Sequence, residues 1–235
     1  MAEGPEGRAY KESLRETRTP SGVNGAVAAL NRLFEVLEKP EWKLRAVKMQ
    51  RQAFRDEARE LTSAEYRRLL TAAKGKKNQR LLLVMETICA TGIRVSELRY
   101  FTVETVRRGR ADVTNKGKTR TVFLPRKLQN LLLQYTQEQK ITVGPVFVTR
   151  NGKPLDRSNL WHDMKALCKA ANVAEGKVFP HNLRHLFART YYSMEKDIVR
   201  LADILGHANV NTTRIYTMET GDTHRKHLER LRLVI

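Results

Sequence analysis

The residues best suited to chemistry lie near the C-terminal end of the sequence. They are His181, Arg184, His185, His207 and Tyr216. An arginine fork matches two phosphate oxygens at once, and fixed donors stabilise the charge that develops when a phosphodiester reacts. A phenol, with an ordinary pKa of about 10, needs a nearby base and a positive field to act as a nucleophile. The set therefore suits attack of a phenol on a phosphodiester.

The sequence predicts a helix that carries the first part of this set. Pro180 suits a first helical turn, where a missing N–H costs no hydrogen bond. His181 and Arg184 are three residues apart, so they share one face of that helix.

Two further elements are predicted to carry the rest. Asp197 begins a helix with apolar positions at helical spacing, and Gly206 ends it as a left-handed cap would. His207 then lies just outside that helix. Residues 211–213 are good N-cap candidates, which predicts that Tyr216 lies on the first turn of a third helix.

Three sequence motifs occur in a fixed order: ATGIRVSELR at 90–99, HNLRH at 181–185 and LGHANVNTTRIY at 205–216. They resemble the three signature boxes of the tyrosine recombinase, or phage integrase, family. The similarity extends from about Leu61 onward. It implies a mostly α fold with a small antiparallel β-sheet (α+β), and a catalytic domain preceded by a truncated helical DNA-binding segment.

The resemblance implies an enzyme that cleaves and rejoins DNA at specific sites and exchanges strands through a Holliday junction. Arg94 and Arg184 match the family's arginines that clamp the scissile phosphate. Tyr216 matches the nucleophile that forms a 3′-phosphotyrosyl link, and Glu97 matches an acidic residue that orients the site. Without the other motifs, Arg94 and Glu97 would be read as an ordinary surface ion pair.

Proton transfer is assigned by the same resemblance. Lys116, in a hairpin, matches the lysine that protonates the leaving 5′-oxygen, with Lys118 as second choice. His181 would assist proton transfer, and His207 would donate a hydrogen bond to the phosphate. His185 is expected to be structural, and Tyr191 and Tyr192 to pack or contact phosphate. No metal or other cofactor is implied.

The composition favours a polyanion as partner. Of the 235 residues, 44 are Lys or Arg and 25 are Asp or Glu, which gives a net charge of +19. The excess is uneven, because residues 61–235 carry 32 basic and 15 acidic residues. Cys89 and Cys168 stand singly in apolar helical patterns and indicate buried free thiols. The sequence shows no signal peptide and no long apolar run, which predicts a cytoplasmic protein without membrane association.

The N-terminal part is predicted to be a partial helical DNA-binding segment with its linker at 1–57, followed by the catalytic domain at 58–235. Residues 22–39 form an apolar stripe stopped by Pro40, and the helix resembles a late helix of the family's core-binding domain. The basic stretch 43–55 has no acid; it is either a solvated linker or a strap along phosphates. The predicted DNA contacts are Lys43, Arg45, Lys48, Arg51, Lys118 and Arg120.

The remaining pattern predicts how the catalytic domain is built. Thr62 and Glu65 form a capping box, and a buried helix over 81–92 ends at Gly92. Residues 101–124 alternate as a small antiparallel sheet with a hairpin turn at 115–118. A helix follows at 129–140, and another is predicted to start with Ser158 as its cap.

Several partners and rival functions follow. Double-stranded DNA is the expected partner, with a dimer on each site, a tetramer at synapsis and accessory proteins; mobile genetic elements are the expected setting.

The amphipathic tail at 223–235 is predicted to dock on a neighbouring protomer, although packing on its own molecule is the simpler reading. A non-catalytic DNA-binding module, a type IB topoisomerase-like relaxer and a His-metal nuclease remain as alternatives.

Overall fold

A computed structural model describes residues 5–48, 57–115, 117–149, 152–153, 155–218 and 221–231. The chain divides into two compact units, residues 1–52 and residues 53–235. The predicted boundary after residue 57 stays a prediction. Across the described ranges, no helix has both the length and the apolar character needed to cross a membrane.

The regular elements follow one another with short connections. The helices are α1 Pro5–Thr17, α2 Pro20–Val36, α3 Ser63–Gly75, α4 Gln79–Thr91, α5 Val103–Arg107, α6 Arg126–Glu138, α7 Arg157–Lys165, α8 Cys168–Ala171, α9 Pro180–Glu195, α10 Ile198–Leu205 and α11 Gly221–Leu231. The strands are β1 Arg110–Asn115 and β2 Lys118–Phe123. They pair in antiparallel fashion, with Arg110 opposite Phe123 and Asn115 opposite Lys118. The predicted fold class, mostly α with a small antiparallel sheet, is confirmed.

The N-terminal unit holds α1, α2 and the chain that follows them. Leu14, Val23, Val27 and Leu44 form its core. The helix predicted over 22–39 is α2, which ends at Val36, before Pro40. Pro40 begins a short 3-10 turn instead of directly stopping the helix.

Two asparagines of α2 hold the beginning of the basic stretch in an extended form. Asn31 donates to the Leu44 carbonyl at 2.9 Å and accepts from the Leu44 N–H at 2.8 Å. Asn24 bonds both backbone groups of Val47 in the same way, at 3.0 and 2.7 Å. Because Asn24 and Asn31 are seven residues apart, they lie on one face of α2. The chain from Leu44 to Val47 is therefore held along α2.

The C-terminal unit, residues 53–235, is organised around α4, in which seven of the thirteen residues are buried. The Thr62–Glu65 capping box that starts α3 is present, as predicted. Gly92 ends α4 in the left-handed conformation, also as predicted. On the sheet, Ala111, Val113 and Val122 face the core. The hairpin is therefore packed against this core along one face.

Two local predictions are wrong. Residues 103–107 were expected in a strand but form α5, because Thr102 and Thr105 make a reciprocal capping box and Val103 and Val106 are both buried at helical spacing. The cap of α7 is Asp156 and not Ser158. Its carboxylate accepts from two backbone N–H groups, and a charged acceptor is the stronger cap at a helix N-terminus.

Candidate active site

Arg184 is the centre of the site and is 1% exposed. It lies in the first part of α9, which begins at Pro180 as predicted. Its guanidinium donates to the Gly92 carbonyl at 2.5 Å and to the Leu205 carbonyl at 2.8 Å. These carbonyls lie at the C-terminal ends of α4 and α10, where backbone acceptors are left over and the partial charge is negative. Arg184 therefore ties three helices together.

The two glycines that end α4 and α10 make this approach possible. Gly92 has a φ of +66°, and an added Cβ would lie 2.4 Å from the Phe187 ring. Gly206 has a φ of +68°, and an added Cβ would lie 3.0 Å from Cδ of Arg120. Each position needs both the conformation and the space that only glycine offers.

His207 follows Gly206 and completes the surroundings of Arg184. Its Nε2 lies 3.1 Å from Nη2 of Arg184, and its Nδ1 lies 2.8 Å from Oγ1 of Thr213. Because a guanidinium can only donate, Nε2 accepts and Nδ1 carries the proton. Burial, followed by the charge of Arg184, lowers the pKa of His207 to about 4. The imidazole is therefore neutral near pH 7.

Tyr216 is buried and lies against this group. It belongs to a 3-10 turn over Arg214–Tyr216, and not to the predicted first turn of an α-helix. Asn209 caps the preceding short turn, and this compact pair of turns directs the phenol inward. Burial raises the pKa of Tyr216, while the charge of Arg184 and its hydrogen bond to the phenol act in the opposite direction.

Two imidazoles lie against the phenol ring, and a third contacts one of these two. The ring of His207 lies parallel to that of Tyr216 at 6.3 Å between centroids, and the ring of His185 meets it edge-on at 5.1 Å. His181 meets His185 at 4.5 Å. Loss of hydration, with cationic neighbours adding to it, lowers the pKa of both His181 and His185 to about 4. Near pH 7 all three rings are proton acceptors.

Glu97 is the single carboxylate among these cations and is 1% exposed. It accepts from the Arg94 backbone N–H at 2.8 Å and from the Arg94 guanidinium at 3.3 Å. Arg120 grips it with two parallel bonds of 2.9 and 2.8 Å, and its Nε donates to the Ile204 carbonyl at 2.9 Å. Burial would raise the pKa of Glu97, but the bonds from Arg120 and Arg94 hold it below its usual range.

Two clefts of about 620 and 610 Å³ open on either side of Arg94. The first is also lined by His181 and Arg184, and the second by Lys118 and His207. Arg94, with 31% of its side chain exposed, is thus accessible to an anion from both clefts. The Nε of Arg184 is buried without a hydrogen-bond partner among the described residues, and such a donor favours an added acceptor.

The other predicted residues are placed as follows. Lys116 and Arg51 lie outside the described residues, so their roles remain predictions. Lys118 is exposed at the start of β2. Lys43 forms an ion pair with Glu35 at 2.8 Å and keeps 40% of its side chain exposed.

Two more predicted DNA contacts lie in the extended chain after α2. Arg45 and Lys48 are exposed there. The backbones of Leu44 and Val47 are anchored to α2, and each of the two basic residues directly follows an anchored one. This spacing supports the interpretation that the basic stretch at 43–55 runs along phosphates, and that interpretation stays a prediction.

Comparison with known proteins identifies the relatives of this arrangement. A family model described as the phage integrase family matches residues 59–222, well over half of the chain. The chain belongs to the phage integrase family. All the predicted site residues from Arg94 to Tyr216 fall within the matched part.

Named relatives of this phage integrase family member agree with the match. Tyrosine recombinase XerA of Pyrococcus furiosus is 30% identical over 182 residues, which cover 74% of this chain and 62% of that protein. The chain thus spans less than two thirds of that relative. A XerH site-specific recombinase bound to difH substrate, in a pre-cleavage complex, superposes with a TM-score of 0.72 at 20% identity, covering 95% of this chain and 69% of the other.

A lambda integrase tetramer bound to a Holliday junction has a TM-score of 0.68 at 18% identity, covering 92% of this chain and 64% of the other. At such identities the likeness of the solved structures shows the fold. The fold of this integrase-family chain is therefore the one found in both of those complexes.

Sequence reasoning missed four contributors to the integrase-family site. Thr213 accepts from Nδ1 of His207, Arg120 holds Glu97, His185 contacts the ring of Tyr216, and Glu60 lies beside His185. Two motifs gave a signal: HNLRH contains His185 next to Arg184, and LGHANVNTTRIY contains Thr213 six residues after His207. The contacts of Arg120 with Glu97 and of Glu60 with His185 join residues far apart in sequence, where no spacing rule applies.

Among the described residues, no group of three or more His, Cys, Asp or Glu side chains is arranged to hold a metal ion. Whether the reaction needs a metal is a separate matter and stays a prediction. Cys168 is buried, Cys89 is half-buried, and both are free thiols as expected.

Proposed function

We propose that this protein is a site-specific DNA recombinase of the tyrosine type. It would cleave and rejoin DNA through a 3′-phosphotyrosyl intermediate and exchange strands through a Holliday junction. The observation that carries the proposal is the placement of Tyr216, which is buried against the rings of His185 and His207 next to the central Arg184, with Arg94 beside two open clefts. Membership of the phage integrase family supports the same reaction.

The proposed chemistry is balanced within the chain. Tyr216 attacks phosphorus and the bond to the 5′-oxygen breaks, which leaves a phosphotyrosine and a free 5′-hydroxyl. Arg94 and Arg184 bind the two non-bridging oxygens, because guanidinium forks match such oxygens. Lys116 protonates the leaving oxygen, since an alkoxide leaves badly near neutral pH. Glu97 orients Arg94, with which it shares two hydrogen bonds.

The histidines divide the remaining work. His181 borders the first cleft together with Arg184 and, as a neutral ring, would take up the proton that the Tyr216 phenol loses when it attacks. His207 must donate to phosphate, yet in the DNA-free structure its Nε2 accepts from Arg184. An entering phosphate would draw Arg184 toward itself and raise the pKa of His207, so that Nε2 gains the proton it needs to donate.

The decisive experiment is trapping of the covalent intermediate on a suicide substrate that carries the native site, followed by denaturing electrophoresis. The wild-type protein should form an adduct, and Tyr216→Phe should bind DNA with unchanged affinity and form none. Tyr192→Phe is the matched control, because this tyrosine lies in the same small cluster as Tyr216. An adduct in Tyr216→Phe, or its loss only in Tyr192→Phe, would contradict the assignment.

A substrate with sulfur in place of the 5′-bridging oxygen distinguishes the role of Lys116 as acid from that of Arg184 as phosphate clamp. Sulfur leaves without a proton, so this substrate should restore cleavage to Lys116→Ala. Arg184→Ala should stay inactive on both substrates, because it lacks the clamp and the bond to Tyr216. Rescue of Arg184→Ala without rescue of Lys116→Ala would reverse the two roles.

The proposed partners are double-stranded DNA and further copies of the chain, a dimer on each site and a tetramer at synapsis, with accessory proteins possible in addition. A related fold occurs in a tetramer on a Holliday junction. In this chain Leu228 and Leu231 of α11 are 53% and 57% exposed, which is consistent with a tail that docks on a neighbour. Basic side chains of the stretch after α2, and Lys118 on the hairpin, would contact phosphates.

A further inference from the structure

Residues 59–61, which we call the entry strap, follow the segment that joins the two units and are fastened along α9. Asn182 donates to the Arg59 carbonyl at 2.9 Å, and Arg189 donates to the Leu61 carbonyl at 2.7 Å. Arg189 also forms an ion pair with Glu60. The strap therefore lies on the same helix that carries the clamp arginine.

The residues of α9 that face the strap form one stripe. Positions 182, 185 and 189 are spaced by three and four residues, so they lie on one face of the helix. In the middle of this stripe, Nδ1 of His185 lies 4.0 Å from the Glu60 carboxylate. The rings of His185 and Tyr216 meet edge-on, with their centroids 5.1 Å apart and an angle of 79° between the ring planes. His185 is thus the contact between strap and nucleophile.

The chemistry of His185 argues against a role as simple filling. Its Nε2 is buried and has no hydrogen-bond partner among the described residues. A buried polar atom without a partner costs free energy, so an apolar side chain would fill the space better. An imidazole at this position keeps one property that an apolar side chain lacks, a ring nitrogen 4.0 Å from the Glu60 carboxylate, which is beyond hydrogen-bond distance but close enough for electrostatic attraction.

Resting on the proposed function, we propose that His185 is a positioning residue for Tyr216, and that Glu60 of the entry strap acts through it. Glu60 orients the imidazole, the imidazole fixes the phenol ring, and the phenol oxygen stays at Arg184. A change in the position of Glu60 would then change the alignment of the nucleophile. A displacement of about 1 Å in a reacting group can cost about 100-fold in rate.

The test is a double-mutant cycle in the full chain with Glu60→Gln and His185→Phe. Glutamine keeps an oxygen for Arg189, and phenylalanine keeps a ring beside Tyr216. The first-order rate of adduct formation is measured at saturating suicide substrate, so it does not depend on the active fraction. Each single change should slow the rate about tenfold, or about 1.4 kcal/mol, with unchanged DNA affinity. Since both act on one contact, the double variant should be no slower than His185→Phe.

Controls separate this inference from the proposed function. Met194→Ala, at an exposed position of the same helix, should leave the rate unchanged and combine additively with Glu60→Gln. The sulfur-containing substrate should not restore the slow variants, because the fault lies in attack and not in the leaving group. Rates within about twofold of wild type, or effects that multiply in the double variant, would overturn the positioning role while leaving the recombinase proposal intact.

A second readout does not need activity. With ring-labelled tyrosine, the Tyr216 resonance can be assigned by its absence in Tyr216→Phe. It should move in Glu60→Gln, whereas the resonance of the distant Tyr135 should not. An unmoved Tyr216 resonance would refute the inference even if the protein proved unable to cleave DNA. If the wild-type protein forms no adduct but the resonance moves, the proposed function fails and the contact stands.

Discussion

Arg120 and Lys118 lie on the same strand, and both were predicted to contact DNA, but the structure gives them different tasks. Arg120 uses its guanidinium to grip Glu97 at 2.9 and 2.8 Å and to reach the Ile204 carbonyl at 2.9 Å. Lys118 is exposed. Arg120→Met should therefore mainly destabilise the fold, and Lys118→Met should mainly weaken DNA binding.

The size of the first effect follows from burial. Removing one partner of a buried ion pair costs about 3–5 kcal/mol, because the other charge is left without compensation. Glu97 keeps two bonds from Arg94, and Arg120 is itself 14% exposed, so the lower end of that range, about 3 kcal/mol, is expected. Urea unfolding near pH 7 measures this loss, and Lys118→Met should change it by less than about 0.5 kcal/mol.

The pH dependence gives a further check on the Arg120→Met result. In the wild type the pKa of Glu97 is lowered, so its contribution is present above the unfolded pKa and is lost as the pH falls through the folded value. In Arg120→Met burial dominates and raises that pKa. The stability difference between the two proteins should therefore shrink as the pH falls from the raised pKa in Arg120→Met, which lies above the ordinary glutamate value of about 4.3, to the lowered wild-type pKa.

The salt dependence of DNA binding measures the second effect, that of Lys118→Met. Each phosphate contact contributes about 0.9 to the slope of log K against log salt. Lys118→Met should reduce the slope by about that amount, and Arg120→Met should leave it nearly unchanged in the folded protein. Wild-type stability in Arg120→Met together with a reduced salt slope would refute the reasoning and restore Arg120 as a DNA contact.

Three further outcomes are expected. Gly206→Ala should lower the melting temperature, because the residue has a φ of +68° and its Cβ would press on Arg120, and it should slow adduct formation by moving His207; an unchanged melting temperature would contradict this. The free energy of unfolding should fall from about pH 7 to about pH 4, since His185 and His207 have folded pKa values of about 4 and take up protons mainly on unfolding; His185→Phe should flatten this slope in urea titrations. Deletion of 223–235 should leave single-site binding intact in gel-shift titrations but weaken cooperative assembly, and equal cooperativity would exclude tail docking between copies.

The local signals in the sequence predicted much of the fold. Pro180, Asp197 and the two C-cap glycines each mark a helix end through the backbone of one or two residues, and the structure has helix ends there. The short helix α5 was mistaken for a strand, because five residues give too few turns for a helical period to emerge. The 3-10 turn that carries Tyr216 was not predicted, because the residues that can cap an α-helix can also begin a single tight turn.

The candidate site was predicted by its residue types, but not by its contacts. Arg120 meets Glu97 across 23 positions, and Glu60 meets His185 across 125. Neither spacing belongs to a helix or strand period, so only the packing of the elements brings these pairs together. The roles of the predicted side chains also depend on such contacts, as the tautomer of His207 depends on the guanidinium of Arg184, 23 positions away.

The electrostatics of the site keep its histidines and its phenol in their neutral forms. Burial, with the charges of Arg184 and Arg94 adding to it, keeps His181 and His207 neutral near pH 7. Burial also raises the pKa of Tyr216, which keeps the phenol protonated. On the proposed function, the phosphodiester brings the missing negative charge: it engages the arginines, releases His207 from Arg184 and favours its protonated form. The substrate itself thus converts an acceptor into a donor, so the nucleophile is activated only where a phosphate is already bound.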